Sequence, residues 1–93
     1  MDRYTELRSF VLVAEKGSFA AAALVEGVTP VVMGRRLDAL EKRLGVKLMH
    51  RSTRGLALTE LGEQLLDQSR ALLREFDELE RAVGAGRDLV RGH

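Results

Sequence analysis

The chain contains no cysteine and only one proline among its 93 residues. The absence of cysteine excludes disulfides, thiol catalysis and cysteine-based zinc sites. The longest uninterrupted apolar run covers residues 19–25, which is far too short to span a bilayer. The N-terminus also lacks a signal-peptide pattern. Together these absences favour a soluble, cytoplasmic protein with no membrane partner.

Residues that commonly carry catalysis are sparse as well. The chain has two histidines, His50 and His93, and neither belongs to a set with metal-ligand or triad spacing. No phosphate-cradling glycine motif occurs. We therefore predict that the chain is not an enzyme and has no catalytic residues, no metal and no cofactor in this domain. A fragment of a small enzyme is the weaker alternative.

Charge is plentiful, and it is unevenly distributed along the chain. Apolar residues make up 45% and charged residues 31% of the composition, which favours one folded domain over disorder. The formal net charge is only +1, yet residues 29–58 hold seven basic and two acidic side chains. A basic middle between acidic flanks indicates a surface for a polyanion. Random clustering of charge is the plainer alternative.

The first third of the chain predicts two helices. Asp2 can cap the first helix, Gly17 can end it, and Ser18 can cap the next one at once. The inward stripe of the first helix is predicted to comprise Tyr4, Leu7, Phe10, Val11 and Ala14. The second helix, residues 19–26, is rich in alanine and allows close approach of a neighbour. With Gly27 in the turn after it, this segment matches a helix-turn-helix.

Residues 29–44 form the third predicted helix, and the rest of the chain is organised around it. Thr29 is a good N-cap, and Pro30 suits the first helical position. Apolar residues at helical spacing predict one buried stripe, namely Met33, Leu37, Leu40 and Leu44. The opposite face carries little bulk near its start and then two adjacent arginines, Arg35 and Arg36. That face is shaped to enter a DNA groove, whereas an ordinary surface helix is the plainer alternative.

A short hairpin is predicted directly after this helix. Residues 46–50 and 56–58 have the pattern of strands, around a polar turn at residues 51–55. That turn places Arg51 and Arg54 at the tip of the hairpin. A basic hairpin beside a candidate recognition helix indicates a wing.

Residues 59–86 are predicted to form one long helix. Thr59 can cap it, Gly62 indicates close packing near its start, and Gly84 and Gly86 should end it. Its apolar stripe is too long to be buried by the rest of the chain. We predict that this stripe is a homodimer interface, comprising Leu61, Leu65, Leu72, Phe76, Leu79 and Val83. A surface helix with a wet apolar face is the plainer alternative.

The predicted fold class is mainly α, with a winged helix-turn-helix of three helices and a two-stranded wing followed by a long C-terminal helix. The winged domain is expected at residues 1–58 and the linker and dimerisation helix at residues 59–86. Residues 87–93 would start a linker that leads elsewhere, so that the chain is one end of a longer protein.

Several short motifs stand in a fixed order along residues 4–83. They read Phe10-Val-x-Val-Ala-Glu-x-Gly-Ser-Phe19, Ala22-Ala23, Val28-Thr-Pro, Arg35-Arg-Leu-x-x-Leu-Glu41, Leu44-Gly-Val-x-Leu48, Arg51 and Leu58-Thr-x-x-Gly62. Each is weak by itself, but the ordered set resembles the N-terminal DNA-binding domain of LysR-type transcriptional regulators. The resemblance implies a C-terminal effector-binding domain outside this sequence, tetramers of the full-length protein, and transcriptional activation or repression.

Two positions depart from the pattern of that family. Gly34 stands where the family usually has a serine, which removes a hydroxyl able to bond a phosphate or a base edge. Glu26 stands where the family usually has an apolar residue. A buried carboxylate needs a partner, so repacking with Leu24 or Val25 is one expected outcome.

The predicted DNA-binding residues lie on the third helix and the wing, and they are Thr29, Pro30, Val31, Gly34, Arg35, Arg36, Arg51, Ser52, Thr53 and Arg54. Thr29 at a helix N-terminus suits a phosphate, although simple capping is equally compatible. Pro30 and Val31 suit a thymine methyl, and Gly34 lets the backbone approach the groove floor. Arg35 is predicted to make a bidentate contact with guanine or phosphate.

The remaining basic and polar residues have less specific predicted roles. Arg36, at the side of the helix, suits either a phosphate or a salt bridge. Arg51 and Arg54 are predicted to reach the adjacent minor groove or its phosphates, with phosphate hydrogen bonds from Ser52 and Thr53. General or solvated charge is expected of Lys42, Arg43 and Lys47.

Double-stranded DNA with an inverted-repeat operator is the predicted partner. A two-fold dimer should present its two recognition helices to major grooves about one turn, roughly 34 Å, or a multiple of it apart. The alternative is a protein-interaction module that is dimerised by the long helix.

Overall fold

Three helices, a two-stranded hairpin and a long fourth helix follow one another along the chain. The structure, a computed structural model, describes residues 2–91, and the side chains of residues 2–86. Its elements are α1 (Arg3–Lys16), α2 (Phe19–Glu26), α3 (Pro30–Leu44), β1 (Met49–Ser52), β2 (Gly55–Leu58) and α4 (Glu60–Arg91). This order confirms the mainly α, winged helix-turn-helix class that the sequence predicts. We call residues 2–58 the winged head.

The first three helices begin at the predicted N-caps. The side-chain oxygen of Asp2 accepts from Thr5 N at 2.6 Å, and that of Ser18 accepts from Ala21 N at 2.9 Å. Thr29 caps α3 in the same way. Each of these helices ends at a glycine in the left-handed conformation, as predicted. Local sequence therefore sets the lengths of the three helices.

The core of the winged head lies where α1, α2 and α3 meet. Its largest fully buried side chains include Phe10, Met33 and Leu37. The predicted stripe of α3 is correct except at its end, because Leu44 is 43% exposed. Tyr4 of α1 is also exposed rather than inward. Both line an open groove between the winged head and α4, and the Tyr4 ring stacks on Phe76 of α4 at 5.0 Å.

The hairpin begins three residues later than the sequence pattern predicts. β1 and β2 pair antiparallel, with Met49 opposite Leu58 and Ser52 opposite Gly55. The turn therefore consists of residues 53–54, and Arg51 is a strand residue rather than a tip residue. The reason lies in α3, because the Glu41 carboxylate accepts from Leu48 N at 2.7 Å and from Met49 N at 3.3 Å. Those bonds hold the start of the predicted strand against the helix.

Close packing at Gly62 joins α4 to the hairpin, as predicted. Thr59 caps α4 by accepting from Gly62 N at 3.0 Å, and its own amide donates to the Leu48 carbonyl at 2.9 Å. A Cβ on Gly62 would overlap that same Leu48 carbonyl. Any larger residue here would push the helix away from the winged head.

The C-terminal end of α4 differs from the prediction. The helix passes through Gly84 and Gly86 and continues to Arg91, so residues 87–91 are helical rather than beyond the helix. An exposed glycine costs only about 1 kcal/mol relative to alanine within a helix, which is too little to end one that is otherwise favourable. Residues 92–93 of the predicted linker lie outside the described residues.

The long helix has a near half that packs on the winged head and a far half that extends away from it after the contact of Phe76 with Tyr4. Leu66 and Ser69 are buried against the head, and Arg70 Nε donates to Glu15 Oε2 of α1 at 2.9 Å. Leu65 is also partly buried there. We call residues 74–86 the distal arm, and its apolar side chains at positions 76, 79 and 83 are exposed. The molecule is elongated as a result, measuring 58 × 25 × 22 Å.

Candidate nucleic-acid interface

The N-terminal end of α3 is bare and accessible. Thr29, Pro30 and Val31 are all exposed, and together they form the first turn of the helix. Nothing lies within 4 Å of the position that a Cβ would occupy on Gly34. The fold therefore does not require glycine there, and the open space lies on the face that a partner would approach. Pro30 has no N–H and the Thr29 hydroxyl accepts from Val32 N, so among the described residues the Thr29 and Val31 amides are the ones left for an anion.

The two adjacent arginines of α3 have different surroundings. Arg35 is exposed and has no ion pair among the described residues. The Arg36 side chain is only 16% exposed. Its Nη1 donates to Ser9 Oγ at 3.2 Å and to Glu26 Oε1 at 3.4 Å. Of the two roles predicted for Arg36, the structure shows the salt bridge, and its assignment as a DNA contact stays a prediction.

The Glu26 carboxylate, which is expected from the sequence to need a partner, contacts Arg36 and two residues of α1. Besides Arg36 and Ser9, its carboxylate lies 4.0 Å from Arg8 Nε. The expected repacking does not occur, because Leu24 is 84% exposed and Val25 also faces solvent. The negative charge of Glu26 is thus neutralised by arginines. These contacts link the three helices of the winged head.

Arg51, in strand β1 of the wing, contacts two other elements, α3 and α2. Its Nη2 donates to Asp38 Oδ1 of α3 at 2.9 Å and lies 4.0 Å from Glu41 Oε1. Its guanidinium carbon is 4.7 Å from the ring centroid of Phe19 at the start of α2. Cation–π stacking and a charge-assisted hydrogen bond together fix its direction. Sequence reasoning missed this clamp, since the spacing of Phe19, Asp38 and Arg51 gives no local signal.

The tip of the wing consists of two exposed residues, Thr53 and Arg54. Ser52 closes the turn, because its hydroxyl accepts from the Arg54 amide at 3.2 Å. Arg54 has no ion pair among the described residues. Its positive charge is therefore available to a partner that approaches the tip.

The structure divides the seven basic residues of segment 29–58 into two groups. Arg36, Arg43 and Arg51 each pair with a carboxylate of the winged head. Arg43 is a correction to the predicted solvated charge, because its Nη2 lies 2.7 Å from Oε1 of the buried Glu6. Cations without an ion pair in the described part of the chain are Arg35, Lys42, Lys47 and Arg54. These four supply the field that an incoming polyanion meets.

Among residues 2–86, whose side chains the structure describes, no group of three or more side chains could hold a metal ion. No helix of the described chain has the length and apolar character needed to cross a membrane.

The fold and this surface define a winged helix-turn-helix DNA-binding domain. A family model described as "Bacterial regulatory helix-turn-helix protein, lysR family" matches residues 4–63. The chain belongs to this family of transcriptional regulators, and the function of such a domain is sequence-specific DNA binding. The resemblance read from the ordered motifs is thereby confirmed.

Individual relatives agree with the family in sequence and in structure. The chain is 41% identical over 86 residues to an HTH-type transcriptional repressor of Pseudomonas aeruginosa, covering 92% of this chain and 27% of the repressor. The crystal structure of a CbnR DBD–DNA complex superposes with a TM-score of 0.84 at 35% identity, covering 91% of this chain and 98% of that one. A BenM DBD with catB site 1 DNA gives a TM-score of 0.84 at 28% identity, covering 99% and 96%. The chain spans about a quarter of the length of the curated relatives it matches.

Proposed function

We propose that this domain binds an inverted-repeat operator as a homodimer, with α3 in the major groove and the wing at the adjacent minor groove. The observation that carries the proposal is the bare, capped N-terminus of α3 beside the exposed wing tip. Two unpaired arginines, Arg35 and Arg54, flank that surface. The structures of the CbnR and BenM DNA-binding domains, which are complexes with DNA, support it.

The first turns of α3 supply both kinds of contact that DNA recognition needs. The free N–H groups of Thr29 and Val31, at the start of α3, donate to a phosphate, which positions the helix. Pro30 and Val31 contact a thymine methyl, and the open surface at Gly34 allows the backbone to approach the base edges. Arg35 forms a bidentate pair with the O6 and N7 acceptors of guanine.

The wing contributes affinity more than sequence selectivity. Arg54 at the tip reaches the minor groove or its phosphates, with phosphate hydrogen bonds from Thr53. Ser52 is less available to a phosphate, because its hydroxyl already accepts a hydrogen bond from the Arg54 amide. Arg51 is paired with Asp38, and it lies in β1 beside the turn rather than at the tip itself.

Dimerisation uses the apolar face of α4 that the winged head leaves uncovered. The exposed members of the predicted interface are Leu61, Leu72, Phe76, Leu79 and Val83. Their spacing along most of the helix is that of a coiled-coil seam. Leu65 contributes less, since it is partly buried against its own head. In a longer protein, an effector-binding domain would follow α4 and allow tetramers.

The salt dependence of binding to mixed-sequence duplex DNA tests this proposal. Besides Arg35, which is assigned to guanine, segment 29–58 of each protomer has three cations without an ion pair among the described residues. A dimer therefore makes about six phosphate contacts at most from this segment, so log K should fall with log [salt] with a slope as steep as about −5. Affinity that stays flat from low to moderate salt would contradict the phosphate-contact model. Selection from a random DNA pool should then return two half-sites of inverted sequence.

A further inference from the structure

Asp38 is an acidic side chain on the very face that meets DNA. It lies one helical turn beyond Gly34 and Arg35, and its side chain is 66% exposed. The other acid of α3, Glu41, is turned away and satisfied by the amides of Leu48 and Met49. A bare carboxylate facing a phosphate backbone would weaken binding, so its presence on this face calls for a compensating contact.

The Arg51 clamp both offsets the charge of Asp38 and fixes its direction. Arg51 Nη2 donates to Asp38 Oδ1 at 2.9 Å, while the ring of Phe19 supports the guanidinium from below at 4.7 Å. Within the described residues, Asp38 Oδ2 makes no hydrogen bond. One carboxylate oxygen is thus held by the protein and the other is available in the groove.

The chemistry of that free oxygen selects among the bases. An ionised carboxylate only accepts hydrogen bonds, so it is repelled by the O6 and N7 acceptors of guanine and by O4 of thymine. Adenine offers an amino donor at N6, but its N7 acceptor lies beside that donor in the major groove. Cytosine offers the N4 amino donor without a neighbouring acceptor on its own edge.

We propose that Asp38 is a specificity-determining residue that accepts a hydrogen bond from the N4 amino group of a cytosine in each half-site. Arg51 is its positioning residue. The inference rests on the proposed function, since it requires α3 to lie in the major groove.

Base selection with matched variants tests the proposal. The wild-type domain should select a cytosine at one position of each half-site, over the other bases by roughly 5- to 150-fold. Asp38→Ala should lose this preference while its affinity for mixed-sequence DNA is unchanged or higher, because a negative charge is removed and Arg51 is released. Asp38→Asn should shift the preference toward adenine, which an amide pairs with at N6 and N7. Asp67→Asn, an exposed acid of α4, is the control and should select the wild-type sequence.

Two further results distinguish base recognition by Asp38 from a purely structural role of this residue. Arg51→Ala should weaken the cytosine preference at the same position, because the carboxylate loses its fixed direction. If Asp38 only braced the wing, Asp38→Ala would lower affinity for all sequences equally and keep every base preference, which would overturn the proposal. A clear inverted repeat with no cytosine sensitive to Asp38 would overturn it while leaving the proposed function intact. Failure of the wild-type domain to select any sequence would overturn both.

Discussion

Apolar residues at helical spacing are buried in the winged head but exposed in the distal arm. In the head, Met33 and Leu37 of α3 are fully buried by α1 and α2 of the same chain. In the arm, Leu79 and Val83 repeat at the same helical spacing but remain more than 60% exposed. A periodic apolar stripe therefore predicts that a face will be buried, but it does not say which chain will bury it.

The largest difference should appear when one leucine is truncated in each region. Leu37→Ala should lower the free energy of unfolding by about 2–5 kcal/mol, because it leaves a cavity in a closed core. Leu79→Ala should leave the unfolding of the isolated protomer nearly unchanged, since its side chain is already in water. Urea denaturation of both variants, at a protein concentration low enough for monomers, measures the contrast. Equal losses would mean that the arm is packed within its own chain.

The second prediction concerns whether a second copy of the chain covers the distal arm and the adjacent half of α4. Leu72→Asp should break the seam, because two copies of a leucine that is 56% exposed would lose burial worth about 2–3 kcal/mol in total. Light scattering should then report a protomer mass, and operator binding should fall with it. Ala71→Asp adds the same charge on a neighbouring exposed face of the helix and should leave the mass unchanged. A dimer that survives Leu72→Asp would place the partner surface elsewhere.

Sequence alone predicted most of the fold because its determinants are local. The N-caps Asp2, Ser18 and Thr29 and the glycines that end the helices depend on neighbours a few residues away. Apart from the end of α4, the errors arose where a distant group decided the outcome. The start of β1 is set by a carboxylate of α3, Glu41, and the exposure of Leu44 by the groove against α4.

The site was predicted less completely than the fold, for the same reason. The exposed face from Thr29 to Arg35 follows from helical periodicity. The pairing of Arg36 with Glu26 and of Arg51 with Asp38 depends on how α1, α2, α3 and the wing are packed. Charge counted along the sequence therefore overestimates the cations available to DNA, since carboxylates of the winged head pair with three of the seven.

Within the head, the same comparison can be made between two adjacent arginines. Arg35→Ala should weaken operator binding by about 1–3 kcal/mol or relax base preference, with little change in stability. Arg36→Ala should instead lower stability, because it leaves the carboxylate of Glu26, 18% exposed, without its closest cation. Fluorescence anisotropy with operator DNA and thermal unfolding of each variant separate the two effects. Unchanged operator affinity in Arg35→Ala would remove that residue from the site.

The smallest expected effect comes from removing one positive charge from the winged head or from the distal arm. Arg54→Ala should remove one phosphate contact per protomer, which lowers the magnitude of the salt slope by about 2 for a dimer and weakens binding to all sequences alike. Arg74→Ala deletes the same charge from the distal arm, where the side chain is exposed and has no ion pair among the described residues. Because the proposed docking brings phosphates to the wing and not to the arm, this control should keep the wild-type slope. Equal slopes for both variants would mean that Arg54 acts only through the overall charge of the domain.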